Sequence, residues 1–144
     1  MKTTDTGFDL IGLHDARISS MLATVDRITI FLREAYIGPD HPCNTTDDWI
    51  LVEPAELAFC GLVSHESRTW NDQTSSWSDS STPVDLPIAD EIMESSRSDS
   101  DGHSIFTLTG FGASGWTEWF IHASGFRLSW DDESQPRNRL KPKT

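Results

Sequence analysis

Residues 27–37, Arg-Ile-Thr-Ile-Phe-Leu-Arg-Glu-Ala-Tyr-Ile, alternate apolar side chains with neighbours of mixed character. In this run Ile28, Ile30, Leu32 and Tyr36 fall on one face of an extended chain. A period of two is typical of a β-strand that presents one face to a hydrophobic core. The stretch therefore predicts a strand and favours an all-β fold.

The rest of the chain continues as short apolar runs separated by turn residues. The run at 16–24 precedes this strand across a turn at 25–27, which is short enough for a tight hairpin. Further strands are predicted at 49–52, 56–63, 105–109, 116–123 and 126–130. Ser124-Gly125 is a two-residue turn signal, so the last two runs are expected to form a hairpin.

Polar stretches separate these runs. Residues 38–48, 64–85 and 95–102 are dense in Gly, Pro, Asn, Asp or Ser, and they are interpreted as loops. Residues 86–94 fit two descriptions, because Pro87 followed by apolar residues at helical spacing indicates helical turns while a strand is also compatible.

The succession of strands with almost no helical periodicity predicts a mainly β protein. We expect a single-domain antiparallel β-sandwich or partly open barrel with at most one or two short helices. Residues 1–134 are predicted to form one acidic β-rich domain. Residues 135–144, which lack periodicity, are predicted to form a basic, flexible tail.

Acidic charge dominates the 144 residues, with 23 Asp and Glu against 11 Lys and Arg. All 23 acids and seven of the bases lie in residues 1–134, which gives that part a net charge of −16. Such a surface repels nucleic acid and anionic membranes and favours a basic protein partner. The alternative is that the charge serves only solubility.

The compartment follows from the absence of export signals in the sequence. The N-terminal residues lack the apolar core of a signal peptide, and no apolar run approaches the ~18 residues of a membrane span. We therefore expect a cytoplasmic protein without membrane association. Cys43 and Cys60 are expected to be reduced in that compartment, although a disulfide between them is an open alternative.

No motif in the chain indicates catalysis or a cofactor. The five histidines show no H-x₃-H spacing, neither cysteine stands in C-x-x-C, and no G-x-S-x-G is present. His14-Asp15 is the sharpest pair, yet adjacent strand residues point to opposite faces. It is interpreted as a turn at Asp15 with His14 bonded to a neighbouring strand. We predict no cofactor, no metal and no enzyme activity, with a small hydrolase or a small-ligand-binding β-barrel with a histidine/carboxylate site as the alternative.

Two tryptophans stand apart from the apolar runs. Trp70 and Trp77 lie in the polar stretch 64–85, and Asp72, Asp79 and Asp85 flank them. Trp is enriched at interface hot spots, and carboxylates around it would suit a basic partner. These five residues are the predicted partner-binding site. The alternative is that the rings fold back and cap an open end of the sheet.

Two segments carry a family resemblance. Leu13-His14-Asp15-Ala16-Arg17-Ile18 leading into a first strand, and Gly-Trp-Thr-Glu-Trp-Phe-Ile at 115–121 with Gly-Phe-Arg-Leu at 125–128, resemble the first strand and terminal hairpin of small bacterial β proteins. Some of those families are immunity proteins of polymorphic toxin systems. The resemblance implies a non-enzymatic binder that occludes a basic toxin domain, and it carries no catalytic motif.

Overall fold

The computed structural model describes residues 1–83 and 85–135, which form eleven strands and one short 3₁₀ helix, Phe8–Leu10. The strands in chain order are β1 (Lys2–Thr4), β2 (Ile11–Gly12), β3 (Ala16–Ala23), β4 (Arg27–Leu32), β5 (Ala35–Ile37), β6 (Ile50–Asn71), β7 (Ser76–Ser81), β8 (Glu91–Ile92), β9 (Glu94–Ser100), β10 (His103–Phe111) and β11 (Trp116–Ser134). The predicted basic tail falls, apart from Gln135, outside the described residues.

All described strands belong to one antiparallel sheet. Its main order is β8-β3-β4-β6-β11-β10-β9, with β1 added on β11, β7 and β5 added on β6, and β2 added on β5. The sheet curls around its core but does not close into a barrel. The mainly β antiparallel fold with at most one or two short helices is confirmed.

The first hairpin lies where the alternation placed it. β3 pairs with β4, and the backbone N–H of Thr24 donates to the carbonyl of Arg27 across the turn at 2.8 Å. Ile28, Ile30 and Leu32 are fully buried or nearly so. β4 also pairs with β6, so it has a hydrogen-bonded neighbour along each of its two edges.

Aromatic rings fill the centre of the core. The ring of Phe8, on the 3₁₀ helix, lies 5.1 Å from that of Phe106 and 5.0 Å from that of Phe126, and Phe59 lies 4.9 Å from Phe106. Each of these side chains is at most 3% exposed. Burying one such ring stabilises a fold by about 1.5–3 kcal/mol, so the four rings tie the helix to three strands.

The two longest strands, β6 and β11, pair along almost their whole length and carry the rest of the sheet. One register shift interrupts the pairing, because Val63 is an extra residue opposite the His122/Ala123 step. Nearby Gly61 has a φ of +64°, a left-handed conformation that favours glycine. A bulge of this kind bends a strand and increases its twist.

The predicted terminal hairpin at 116–130 is wrong. Residues 116–134 form the single strand β11, and Ser124-Gly125 lies inside it. Inward-facing residues on either side of this point are Ala123 and Phe126, three positions apart. A bend that shifts the alternation by one residue gives the same sequence pattern as a two-residue turn.

The predicted loops at 64–85 and 95–102 are wrong over most of their length. β6 continues from Ile50 to Asn71 and turns back as β7, while β9 occupies most of 95–102. Most side chains on both faces of these segments are polar, so no apolar alternation marks them. Pro54 does not end the strand, because it lies opposite the gap between β4 and β5, where its missing N–H leaves no bond unmade.

The segment 86–94 contains no helix, and strand occupies only its second half, while residues 86–90 are irregular. Glu91–Ile92 and Glu94 onward are extended, and residues 89–93 bridge toward both ends of the sheet. The backbone N–H groups of Ala89 and Met93 donate to carbonyls of β10. On the other side, Ile18 of β3 donates to the carbonyl of Asp90, and Asp15, just before β3, donates to that of Ile92. This short segment thereby covers one side of the core with Ile88 and Ile92.

Candidate functional site

The strands β6, β11 and β10 present one side to the core and the other to solvent. The solvent side, together with the fully exposed strand β7 that extends it, is here called the outer face. On β6 the inward residues include His65 and Ser67, which are buried. Glu66, Arg68 and Trp70 alternate with them and therefore point outward. The outer face carries both aromatic and charged side chains.

A cross-strand tryptophan pair lies at the β6–β7 hairpin. Trp70 and Trp77 are directly paired, and their rings are 5.3 Å apart in an edge-to-face arrangement. The indole Nε1–H of Trp70 donates to Asp72 Oδ1 at 2.8 Å. Trp77 remains 38% exposed. The pair is thus held in place, while part of the Trp77 ring remains available for contact with another molecule.

The tryptophan pair extends into a row of four aromatic rings across four strands. Thr117 pairs with Thr69, so the next position in the ladder sets Trp116 beside Trp70. The ring of Trp116 packs edge-to-face on Phe111 at 5.2 Å, and Phe111 is 61% exposed. We call Phe111, Trp116, Trp70 and Trp77 the aromatic row.

Arg68 lies at the centre of the outer face, next to the aromatic row. Its guanidinium is 4.1 Å from the ring centroid of Trp77 and 5.7 Å from that of Phe120. Its Nε–H also donates to Glu118, and it is paired in register with Asp79. Stacking and ion pairing together hold the side chain, and the nearby carboxylates outnumber this single cation.

Four of the five residues predicted to bind a partner are brought together. Trp70, Asp72, Trp77 and Asp79 all lie on the β6–β7 hairpin. The fifth, Asp85, lies in the segment that leads to Ile88, which packs on the core side of β10. Asp85 makes no hydrogen bond or ion pair with the other four within residues 1–83 and 85–135. Asp85 is therefore close to the hairpin in sequence but belongs to the segment between β7 and β8.

The sequence did not single out Phe111, Trp116, Phe120 and Arg68. On β11, Trp119 and Trp130 are buried, whereas Trp116 is half-buried on the outer face. The alternation around Trp119 could have indicated the outer face. If Trp119 faces the core, the even-numbered residues on either side of it, such as Trp116 and Phe120, must face solvent.

Histidines from two strands form a chain with a carboxylate on the same face. Nε2 of His103 lies 3.3 Å from Nδ1 of His122, and Nε2 of His122 lies 2.9 Å from Glu66 Oε1. These residues are 19 and 56 positions apart in sequence, so no spacing motif could indicate them. Neither histidine is hydrogen-bonded to a serine, threonine or cysteine in the described part of the chain.

The His14-Asp15 pair takes the arrangement that the sequence favoured. The imidazole of His14 donates from Nδ1 to the carbonyl of Met93 at 2.6 Å, and Asp15 has a φ of +65° in a tight turn. This hydrogen bond, followed by the charge of Asp15, raises the pKa of His14. Both side chains are exposed, and their contacts stabilise the turn.

A further histidine, His65, is buried beneath the outer face. Its Nδ1 accepts a hydrogen bond from the indole N–H of Trp119 at 3.1 Å, so the neutral ring carries its proton on Nε2. Burial lowers the pKa of His65, although the nearby carboxylate of Glu66 opposes this. The neutral form is therefore the one that the fold stabilises.

Stability should fall on acidification because of this histidine. The unfolded state binds a proton near pH 6.5, before the folded state does. The stabilisation is therefore complete above that pH and is lost as pH falls toward the lowered pKa, by at most about 1.4 kcal/mol per pH unit. Urea unfolding at pH 7.5 and 5.5 measures it. The His65→Gln variant keeps an acceptor for Trp119 without titrating and should lose less stability between the two pH values; equal losses would contradict the assignment.

No protein family model, curated protein or solved structure matches this chain. Within the described residues, no group of three or more His, Cys, Asp or Glu side chains is placed to hold a metal ion. No helix in that same part of the chain is long and apolar enough to cross a membrane. Cys43 and Cys60 are free thiols.

Proposed function

We propose that this chain is a non-enzymatic, acidic protein-binding domain of the cytoplasm that binds a basic protein through its outer face. The observation that carries the proposal is the aromatic row, which leaves Trp77 and Phe111 substantially exposed. Large aromatic rings are costly to leave in water unless a partner covers them, and they dominate interface hot spots.

The charges around the row indicate the character of the partner. Carboxylates of Asp72, Asp79 and Glu118 lie around the row, with Arg68 as the cation among them. A basic surface would be attracted to this rim, and the rings would supply the buried centre. An immunity protein that neutralises a basic toxin domain has these requirements, in agreement with the resemblance of the first strand.

Affinity capture from cells of the source organism tests the proposal. The full chain is used as bait at low salt beside two variants, Trp70→Ala/Trp77→Ala and Trp49→Ala. Trp49 is a matched control because it is 43% exposed yet lies before the start of β6, at the opposite end of that strand from the aromatic row. We expect a basic protein to be retained by the wild type and by the Trp49 variant, and to be lost with the double variant.

Two outcomes would contradict the proposal. Retention of the same protein by the double variant would remove the hairpin from the interface. Electrostatic attraction is strongest at low salt. If no basic protein were recovered under that condition, we would conclude that the acidic charge serves only solubility. Identification of the retained protein as a toxin encoded next to this chain would support the immunity role.

A further inference from the structure

The outer face also carries the chain of His103, His122 and Glu66, which is separate from the aromatic row. We propose that His103 and His122 bind a divalent ion of the late transition metals, Zn²⁺, Ni²⁺ or Cu²⁺, with water in the remaining coordination positions. The site rests on the convergence of two imidazole nitrogens from β10 and β11. It does not depend on the protein partner proposed above.

The separation of the two nitrogens fits a shared metal. Nε2 of His103 and Nδ1 of His122 are 3.3 Å apart. N–H···O hydrogen bonds in proteins usually span about 2.7–3.2 Å, and this nitrogen–nitrogen separation lies just beyond that range. Two nitrogens that each lie about 2.0–2.1 Å from a tetrahedral Zn²⁺ are about 3.3–3.4 Å from each other.

The third member of the chain prepares one ligand for this role. Glu66 Oε1 lies 2.9 Å from Nε2 of His122, which fixes the proton on that nitrogen when the ring is neutral. The lone pair of Nδ1 then faces His103. A carboxylate that holds the distal N–H of a metal-bound histidine is the usual outer-shell partner, and it increases the basicity of the ligand.

The surroundings admit a cation. The side chains of His122 and Glu66 are 21% and 49% exposed, so the site opens to solvent. The net charge of −16 on residues 1–134 raises the local concentration of cations. Imidazole nitrogen selects Zn²⁺, Ni²⁺ and Cu²⁺, whereas Mg²⁺ and Ca²⁺ prefer oxygen ligands.

Calorimetric titration of the full chain with Zn²⁺, in a preparation without an affinity histidine tag, tests the site. We expect binding of one ion per chain and no binding of Mg²⁺ under the same conditions. His103→Gln and His122→Gln should each weaken Zn²⁺ binding by more than about 10-fold, because even outer-shell changes cost about 10–100-fold. Glu66→Gln should weaken it by about 10-fold and keep the stoichiometry.

A matched control separates this site from general histidine binding. His14 is also exposed and contacts a carboxylate, Asp15, at 3.4 Å, but no second imidazole faces it. His14→Gln should bind Zn²⁺ as tightly as the wild type. Nitrogen-15 spectra of the histidine rings report the site directly, since Zn²⁺ should shift Nε2 of His103 and Nδ1 of His122 and leave the nitrogens of His14 unmoved.

Three outcomes would overturn the inference. These are failure of the wild type to bind Zn²⁺, unchanged Zn²⁺ affinity in both the His103 and His122 variants, and a ring proton that stays between the two imidazoles in saturating Zn²⁺. The last result would assign the contact to a hydrogen bond. Circular dichroism of each variant confirms that the sheet is retained, so that loss of binding reports the ligands.

Discussion

Replacement of Phe106 by alanine is expected to lower the free energy of unfolding by about 3–5 kcal/mol. The side chain is fully buried and contacts the rings of Phe8, Phe59 and Phe126, which come from three different elements. Truncation removes the buried ring and leaves a cavity that the surrounding sheet cannot close. Urea unfolding followed by tryptophan fluorescence measures the change at constant pH.

Phe111 on the same strand provides the control for this prediction. It is 61% exposed and packs mainly on Trp116, so Phe111→Ala should cost less than about 1.5 kcal/mol. The difference between the two variants then reports burial alone, because residue type and strand are shared. Similar losses from both would mean that the aromatic cluster is not the centre of the core.

The second large effect concerns binding. Against the basic protein recovered by affinity capture, Trp77→Ala should cost about 2 kcal/mol or more, roughly a 30-fold loss of affinity. The ring lies over the Arg68 guanidinium and against Trp70, so its contact area is presented without much further ordering. The loss should appear mainly as faster dissociation, which surface plasmon resonance resolves.

Asp79→Asn separates charge from contact in the same complex. Asp79 is exposed and lies two residues from Trp77 on β7, so the change removes a charge and preserves shape. We expect slower association at low salt with little change in dissociation, and the difference should shrink at physiological salt. A salt-independent association rate for the wild type would contradict electrostatic steering.

The hydrophobic pattern determined much of the fold but not its connections. Alternation at Ile28, Ile30 and Leu32 located β4 because one face meets the core and the other does not. The same rule failed at Ser124-Gly125, where a bend changes which face the chain presents. It also failed at 64–71, where the inward positions hold polar residues, His65, Ser67 and Thr69, so that no apolar alternation marks the strand.

The candidate site was predicted in part for a similar reason. An aromatic ring within a polar stretch is visible in sequence, which is why Trp70 and Trp77 were found. Phe111 and Trp116 join them only through strand pairing, and His103, His122 and Glu66 come from three strands. Such contacts depend on the register between strands, and the register of β6 with β11 changes at the bulge at Val63. The only sign of that bulge in the sequence is the nearby Gly61.

The central position of β11 has a consequence for how the chain is made. β11 is the last strand among the described residues, yet it lies between β6 and β10 and also carries β1. During synthesis, therefore, one edge of the 22-residue β6 stays unpaired until residues 116–134 have left the ribosome. An unpaired edge of that length is a template for association with other nascent chains. The vulnerable period of this protein is set by the order of translation, and it ends when β11 has left the ribosome.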